Sequence, residues 1–225
     1  MSTRIDKQTT KLIARIAENL PADMSGDVMQ GWIDNPKGLQ KVLKEALCPP
    51  KWTIGENGVT YITLPATTGR TGEEWVTCFE KKGDRVSDYA KSVLRSKKFK
   101  PTTGVVNRIA VLPAKLWKDS ERLTKRICKD AYAGTFTKEN LTDPNAEVSC
   151  LIRDYLTDEE IEALGLWYIV GMHEPIEDSD GNPDLLSANR DDDGRRLDAC
   201  YGGPGGQWGG LGGFAFSLSQ VVPKV

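Results

Sequence analysis

The chain has 225 residues, of which 39% are hydrophobic, and its 30 basic residues nearly balance its 32 acidic residues. This composition suits one large domain with a small appendage, and the balanced charge argues against a chain-wide attraction to nucleic acid or to an anionic membrane. No apolar run approaches the length of a membrane span, and the first residues lack the apolar core of a secretory signal. We therefore expect no membrane span, no nucleic-acid partner and, by default, a cytoplasmic location.

Helical periodicity dominates residues 1–50. Apolar residues that include Ile5 and Leu12 recur at helical spacing and predict a first helix, and Asn35 followed by Pro36 predicts the start of another. We interpret this module as a small helical hairpin that packs on itself or on the main domain. A docking or oligomerisation module is the alternative. We treat residues 51–58 as a linker.

The main domain is expected to span residues 59–225. Residues 59–64 alternate in polarity and are rich in β-forming residues, which predicts a strand, and a second strand is predicted from Val105. Thr71 and Thr157 each precede a glutamate at the capping-box spacing, so each predicts the start of a helix.

The second half of this domain is expected to be rich in strands and loops. The continuous apolar run at residues 166–172 predicts a central strand that is covered on both faces. Short segments broken by Asp, Gly, Asn and Pro follow it. Because helices come first and a β-rich half follows, the pattern predicts an α+β fold.

An acidic segment at residues 173–184 is compatible with a calcium site or with a solvated turn. Asp178, Asp180, Asn182 and Asp184 alternate as calcium ligands do, but the glycine falls at the fourth position counted from Asp178, whereas a calcium loop has it at the sixth. A solvated turn built from turn-forming residues is the favoured interpretation.

Three other side chains are candidates for chemistry. His173 is the single histidine, so a histidine-based triad or a multi-histidine metal site is hard to build. Glu174 could act with the carboxylates after it as a paired acid and base, although the sequence does not fix their separation. Cys200 could be a nucleophile, but no positive patch or nearby histidine lowers the pKa of its thiol in any evident way. We therefore expect no catalytic residue, no bound metal and no cofactor.

A glycine-rich segment, YGGPGGQWGGLGGFAF, occupies residues 201–216, and eight of the twelve residues at positions 202–213 are glycine. It lacks the GK[ST] ending of a phosphate-binding loop, and an apolar strand follows it where a dinucleotide fingerprint would open a helix. We interpret it as a loop that is held inside the fold by Trp208 and the flanking aromatic residues.

The segment SANRDDDGRRLDACYGGPGGQWGGLGGFAF resembles the ending of the C-type-lectin-like domains of variable proteins from diversity-generating retroelements. It is also similar to the ending of the formylglycine-generating enzyme family, which shares this fold. The resemblance covers roughly residues 59–225. It implies an α+β, C-type-lectin-like domain preceded by the N-terminal helical module, and it is compatible with non-classical export or phage-associated display.

In such systems an error-prone reverse transcriptase randomises template adenines. Asparagine codons then change to codons for Asp, Gly, Tyr, Cys or Ser, whereas the tryptophan codon contains no adenine and stays fixed. The resemblance thus implies a noncatalytic protein that binds an unknown protein ligand through a diversified surface. The ligand-binding positions that it implies are Asp191, Asp192, Asp193, Asp198, Cys200, Tyr201, Gly202, Gly203, Gly205, Gly206, Gln207, Gly209, Gly210, Leu211 and Gly212.

Two alternative functions remain. The first is a formylglycine-generating-type enzyme, which would rely on a pair of C-terminal cysteines, whereas Cys200 stands alone in its region. A calcium-dependent sugar site would use Glu-Pro-Asn and Trp-Asn-Asp, whereas this chain has Glu174-Pro175-Ile176 and Trp208-Gly209. The second alternative function is a scaffold or adaptor that acts through the N-terminal helices. An uncovered apolar face on those helices would favour it.

Three structural expectations complete this interpretation. The strand at 59–64 should pair with the closing strand at 214–221. Trp208 and Phe216 should be largely buried, because large aromatic side chains anchor a domain. The aspartates at 191–193 and Asp198 should form an acidic patch, and we expect the chain either to bind weakly or to favour a basic ligand with strong salt dependence.

Overall fold

The computed structural model describes residues 7–47, 50–191 and 193–219. Its contacts divide the chain into two compact units, Met1–Pro50 and Lys51–Val225. Among the helices of the described residues, none combines the length and the apolar character that a membrane crossing requires.

The described part of the first unit contains three helices where a helical hairpin was expected: α1 (Lys7–Glu18), α2 (Gly26–Asp34) and α3 (Pro36–Leu47). Asn35 begins α3 as predicted, because its side-chain oxygen accepts the backbone N–H of Gly38 at 2.9 Å. No described side chain of this unit is buried. Ile5, expected on the apolar face of the first helix, lies outside the described residues.

The second unit has an α+β fold with a mixed sheet, which confirms the predicted fold class. Its described elements are, in chain order, β1 (Trp52–Ile54), β2 (Thr60–Thr63), α4 (Gly72–Lys81), β3 (Arg85–Val86), α5 (Asp88–Arg95), β4 (Arg108–Pro113), α6 (Thr124–Tyr132), β5 (Leu141–Thr142), α7 (Glu147–Tyr155), α8 (Asp158–Ala163), β6 (Tyr168–Gly171), β7 (Ile176–Glu177), β8 (Pro183–Asn189), β9 (Arg196–Tyr201) and β10 (Gly212–Leu218).

Both predicted capping boxes are present. The hydroxyl of Thr71 accepts the N–H of Glu74 at 3.3 Å, and the Glu74 carboxylate accepts the N–H of Thr71 at 2.8 Å, which starts α4. Thr157 and Glu160 make the same pair of bonds at the start of α8. These local signals are correct because every atom that they need lies within one helical turn.

The strands form one sheet in the order β1-β2-β4-β10-β6-β8-β9-β3, with β5 added to β10 and β7 added to β8. β10 pairs antiparallel with β4 and parallel with β6. The expected pairing of the strand at 59–64 with the closing strand is therefore wrong. β4 lies between them, with Thr60 opposite Val111 on one side and Phe216 opposite Ala110 on the other. Residues 220 and 221 of the expected closing strand lie outside the described residues.

The sheet is covered on both faces. Successive side chains along a strand point to opposite faces, so neighbouring residues belong to different clusters. Phe214 and Phe216 join a cluster that includes α6, and we call this side the aromatic face. Ala215 joins a cluster with α4, α5, α7 and α8, and we call that side the helical face. In β6, Ile169 and Val170 are both fully buried on opposite faces, which confirms the predicted central strand.

Residues 51–58, expected to be a linker, belong to the fold of the second unit. Trp52 in β1 pairs with Ile62 in β2. The Lys51 ammonium donates to the Tyr155 carbonyl at 2.6 Å and pairs with Glu160 at 2.7 Å. The linker interpretation overlooked a tight connection between β1 and β2, in which Asn57 has a positive φ of 58°.

Candidate functional site

The glycine-rich segment forms a loop between β9 and β10, and we call residues 202–211 the glycine loop. Trp208 is only 7% exposed and Phe216 is fully buried, as expected. The Trp208 indole Nε1–H donates to the Thr124 hydroxyl at 3.0 Å, and its ring packs edge-on against Phe214 with centroids 5.9 Å apart. The tryptophan therefore fixes the loop to the aromatic face by both packing and a hydrogen bond.

Backbone hydrogen bonds tie the glycine loop to the start of α6. The residue before this helix, Leu123, has no polar side chain to accept the first N–H groups. Loop carbonyls replace it: the N–H of Thr124 donates to Gly206 at 2.9 Å, and that of Lys125 donates to Pro204 at 3.2 Å. The loop thus satisfies donors that a helix start leaves unpaired, and the helix holds the loop in one position.

The glycines of the segment fall into two groups. One group is buried: Gly202, Gly203, Gly206, Gly212 and Gly213. The other group is exposed: Gly205, Gly209 and Gly210. None of these glycines has a positive φ.

The two groups also differ in the room that a Cβ atom would have at each glycine. A Cβ atom on Gly206 would lie 2.8 Å from the Tyr201 carbonyl oxygen, and one on Gly212 would lie 2.6 Å from the ring of Tyr168. A Cβ atom on Gly205 would have no atom within 4 Å. A Cβ atom on Gly209 would lie 3.4 Å from the Tyr168 hydroxyl, and one on Gly210 would lie 2.9 Å from a guanidinium nitrogen of Arg122. Gly205 and Gly209 therefore have room for a side chain, Gly210 has room only if the end of the Arg122 side chain shifts, and close packing selects glycine at Gly206 and Gly212.

Other predicted site residues surround the loop. Tyr201 is 54% exposed and Leu211 is 61% exposed. Gln207 is exposed, and its side-chain amide donates to the Asp119 carbonyl at 3.3 Å. Sequence reasoning missed Tyr168, whose hydroxyl donates to the Gly209 carbonyl at 3.2 Å. Its place under the loop follows from the pairing of β6 with β10, which no local pattern reveals.

Arginines lie beside the aspartates of the expected acidic patch. Arg85 pairs with Asp191 at 2.7 Å and with Asp193 at 3.2 Å. Arg196 pairs with Asp191 and with Asp198, each at 3.3 Å. Arg85 reaches the site through the pairing of β3 with β9, about a hundred residues away in sequence, so no local pattern reveals it. Asp192 lies outside the described residues.

His173 is a structural residue. It is buried, its Nδ1–H donates to the Glu174 carbonyl at 2.7 Å, and its Nε2 accepts the N–H of Leu186 at 3.0 Å. Burial lowers the pKa of the imidazole to about 4, so the ring is neutral at neutral pH. Both nitrogens are occupied, which leaves neither free to act as a base.

Glu174 is exposed, and two other candidates for chemistry are engaged in local contacts. The Asp178 carboxylate accepts the N–H groups of Asp180 at 2.7 Å and Asn182 at 2.9 Å, as the turn interpretation requires. In the part of the chain that the structure describes, no three metal-ligating side chains come together. Burial raises the pKa of the Cys200 thiol, which lies 3.6 Å from the Ser187 hydroxyl, and this disfavours a reactive thiolate.

Asp184 is the one acidic residue of this segment that is buried, at 4% exposure. Burial, followed by the charges of Asp178 and Asp198, raises the pKa of its carboxyl to about 6.

Comparison of the chain with protein-family models, curated proteins and solved structures finds no match. The function is therefore argued from the geometry of the glycine loop and its surroundings.

Proposed function

We propose that this chain is a noncatalytic ligand-binding protein whose C-terminal surface is diversified by a diversity-generating retroelement. The observation that carries the proposal is the division of the glycine loop. Gly205, Gln207, Gly209, Gly210 and Leu211 are exposed on a backbone that Trp208 and α6 hold in place. A rigid scaffold with interchangeable surface residues is the arrangement that antibody loops use.

The proposal includes a C-type-lectin-like domain at residues 59–225, and the resemblance of the closing segment supports it. The expected pairing of the strand at 59–64 with the closing strand does not support it, because β4 lies between β2 and β10.

The chemistry of the surface favours a protein ligand bound with little dependence on salt. The exposed side chains are an aromatic one, an apolar one and an amide, at Tyr201, Leu211 and Gln207. The neighbouring aspartates are already paired with arginines. This copy should bind weakly, because three exposed positions lack side chains and side chains supply most of the binding energy of an interface.

The surrounding DNA provides the direct test. We expect a reverse-transcriptase gene and a near-copy of the 3′ coding sequence that differs from it only at adenines. The differences should fall in codons for exposed positions such as Gly205 and Gly209. Differences concentrated in the codons of Gly206, Gly212 and Trp208 would contradict the proposal, because those residues are buried.

A pair of displayed libraries tests the surface independently of the genome. One library randomises Gly205, Gln207, Gly209 and Gly210. The matched library randomises the buried positions Gly202, Gly206 and Gly212. We expect folded variants that bind selected protein targets from the first library and mostly misfolded variants from the second. Equal yields of folded binders from both would remove the basis for the proposed division.

A second candidate function, an adaptor that binds a protein partner through its N-terminal helices, is favoured by the first unit. Large apolar side chains are exposed on its described helices and loops, namely Leu12, Ile13, Leu20, Val28, Met29, Ile33 and Val42. Ile33→Asp should abolish partner binding if this function is correct, whereas Lys41→Gln should not. If instead binding is lost only when Tyr201 and Leu211 are changed, the glycine-loop surface is the binding site.

A further inference from the structure

Asp184, near the start of β8, is the one buried acidic residue in the described part of the chain whose carboxylate has no polar partner. It is 4% exposed, and neither carboxylate oxygen forms a hydrogen bond or an ion pair with a described residue. The other buried acids among these residues each have at least one partner: Asp84 pairs with Arg195, Asp130 pairs with Arg126, and Glu147 accepts hydrogen bonds from Thr102. Because buried charges are normally paired, the Asp184 carboxylate lacks a partner that its position calls for.

Solvent reaches this carboxylate. One oxygen each of Asp84 and Glu147 is sealed from solvent without a hydrogen-bond partner among the described residues, whereas neither oxygen of Asp184 is sealed in this way. The small exposed part of Asp184 therefore includes its carboxylate oxygens, and an atom of a ligand can touch them.

The charges around Asp184 favour a cation. Burial contributes most to the raised pKa of its carboxyl, and the two charges that add to this shift, those of Asp178 and Asp198, are both negative. Arg196 pairs with Asp198 and with Asp191, so the nearest described arginine of β9 is already shared between two other carboxylates. A positively charged ligand would reduce this excess of negative charge.

Two tyrosines lie beside this carboxylate. Tyr201 is directly opposite Asp184 in the register of β8 and β9, so both side chains project from the same face of the sheet. The Tyr89 hydroxyl of α5 donates to Asp180 at 3.1 Å; this bond contributes most to the raised pKa of Tyr89, and the charge of Asp184 adds to it. Both tyrosines are about half exposed, and aromatic rings attract cations.

The narrow opening at Asp184 distinguishes between organic cations. An ammonium group presents three N–H donors from one atom at the end of a slender chain, whereas a guanidinium is a wider, planar fork. Tyr201 belongs to the surface proposed above for a protein ligand, so side chains of that ligand come close to Asp184. We propose that Asp184 binds the ammonium group of a lysine side chain of the protein ligand, with the carbon chain of the lysine beside Tyr201. The source of the lysine rests on the proposed function.

The test uses the full-length, ¹⁵N-labelled protein at about pH 7.5, where the Asp184 carboxyl, with a pKa of about 6, is ionised. The probe is the acetylated and amidated peptide Gly-Gly-Lys-Gly-Gly, and its control has norleucine in place of the lysine. We expect the lysine peptide to shift the backbone amide signals of Asp184 and Tyr201 saturably, while the norleucine peptide leaves them in place. Equal shifts with both peptides, or no shift with either, would overturn the proposal.

Small cations test the chemistry and the source of the ligand. Butylamine should compete with the lysine peptide, whereas butyltrimethylammonium, which has the same charge and no N–H donor, should compete poorly. Calcium chloride should not displace the peptide. Displacement by calcium would assign the site to a metal ion, and binding of butylamine without binding of the peptide would assign it to a free amine. Either result would contradict a lysine side chain as the ligand.

A matched pair of aspartate variants tests the carboxylate. Asp184→Asn should weaken binding of the lysine peptide by about tenfold or more, as the loss of a charge-assisted hydrogen bond usually does. Asp23→Asn, at an exposed aspartate of the first unit, should leave the affinity unchanged. Circular dichroism checks the folding of both variants, and the Tyr201 amide signal reports binding in each. Unchanged affinity in a folded Asp184→Asn protein would show that this carboxylate does not hold the ammonium group.

These results are separable from the tests of the proposed function. A lysine peptide that does not bind would remove the cation site and leave the comparison of the two libraries unaffected. Surrounding DNA without a near-copy of the 3′ coding sequence would remove the retroelement and leave binding of the peptide unaffected.

Discussion

Trp208 is the residue on which the glycine loop depends most. Its ring is buried against Phe214 and its indole N–H bonds to Thr124. Trp208→Ala should lower the free energy of unfolding by about 3–5 kcal/mol, because it leaves a cavity and removes the indole hydrogen bond to the Thr124 hydroxyl. Urea unfolding followed by circular dichroism measures the change.

Two neighbouring glycines provide the matched comparison. Gly205→Asn should change the free energy of unfolding by no more than about 0.5 kcal/mol, because the position is open and exposed. Gly206→Asn should lower it by roughly 1–3 kcal/mol, because its Cβ atom meets backbone oxygens. If Gly205→Asn were the more destabilising of the two, the division of the loop into open and packed positions would be wrong.

The single histidine gives a direct measurement of pH dependence. Burial lowers the pKa of His173 to about 4, from a usual value of 6.5. The unfolded chain therefore takes up a proton first, and the stability that His173 contributes is fully present above pH 6.5 and is lost as the pH falls towards 4. An NMR titration should show one histidine signal with a midpoint near 4. A midpoint near 6.5 in the folded protein would contradict the buried, neutral ring.

At the level of single residues, the sequence predicted which aromatic side chains are buried, but it did not predict which charged side chains pair. Trp208 is predictable as an anchor because large aromatic residues contribute the most buried area wherever the chain places them. The pairing of Asp191 with Arg85 is not predictable, since the arginine is brought to the aspartate by the association of β3 with β9. Composition alone shows the acidic residues and does not show their partners.

Among the elements, α4 and α5 approach each other closely at Gly72. A Cβ atom on Gly72 would lie only 1.9 Å from the backbone oxygen of Leu94. Gly72→Ala should therefore separate the two helices and lower the free energy of unfolding by roughly 1–3 kcal/mol. Gly205→Ala, with no neighbouring atom, is the control in the same unfolding experiment. Equal stability of the two variants would show that the helices do not meet at Gly72.

Element boundaries were predicted better than element partners. Thr71 and Thr157 start helices because each capping box is complete within four residues. The partner of β2 depends on which distant strand has a free edge. β4 is an apolar strand that is buried between two neighbours, β2 and β10. The sequence pattern of β2 is the same whichever strand it joins, so the pairing with β10 was predicted wrongly.

At the scale of the whole molecule, the boundary between the units can be tested by truncation. A chain of residues 51–225 keeps β1 and the bonds of Lys51 to Tyr155 and Glu160, whereas a chain of residues 59–225 loses them. The longer chain should be more stable to urea by about 2 kcal/mol or more, since it retains a strand, a part-buried tryptophan and their hydrogen bonds. Equal stability of the two chains would support the original interpretation of residues 51–58 as a linker.

The position of β10 has a consequence for synthesis of the protein. This strand comes last among the described elements, yet it joins β4 to β6 in the interior of the sheet. While the ribosome is still translating the glycine loop, both of those strands have an edge with no partner. The sheet of the second unit is therefore complete only once residue 218 has emerged, and until then the two unpaired edges can pair with strands of other chains.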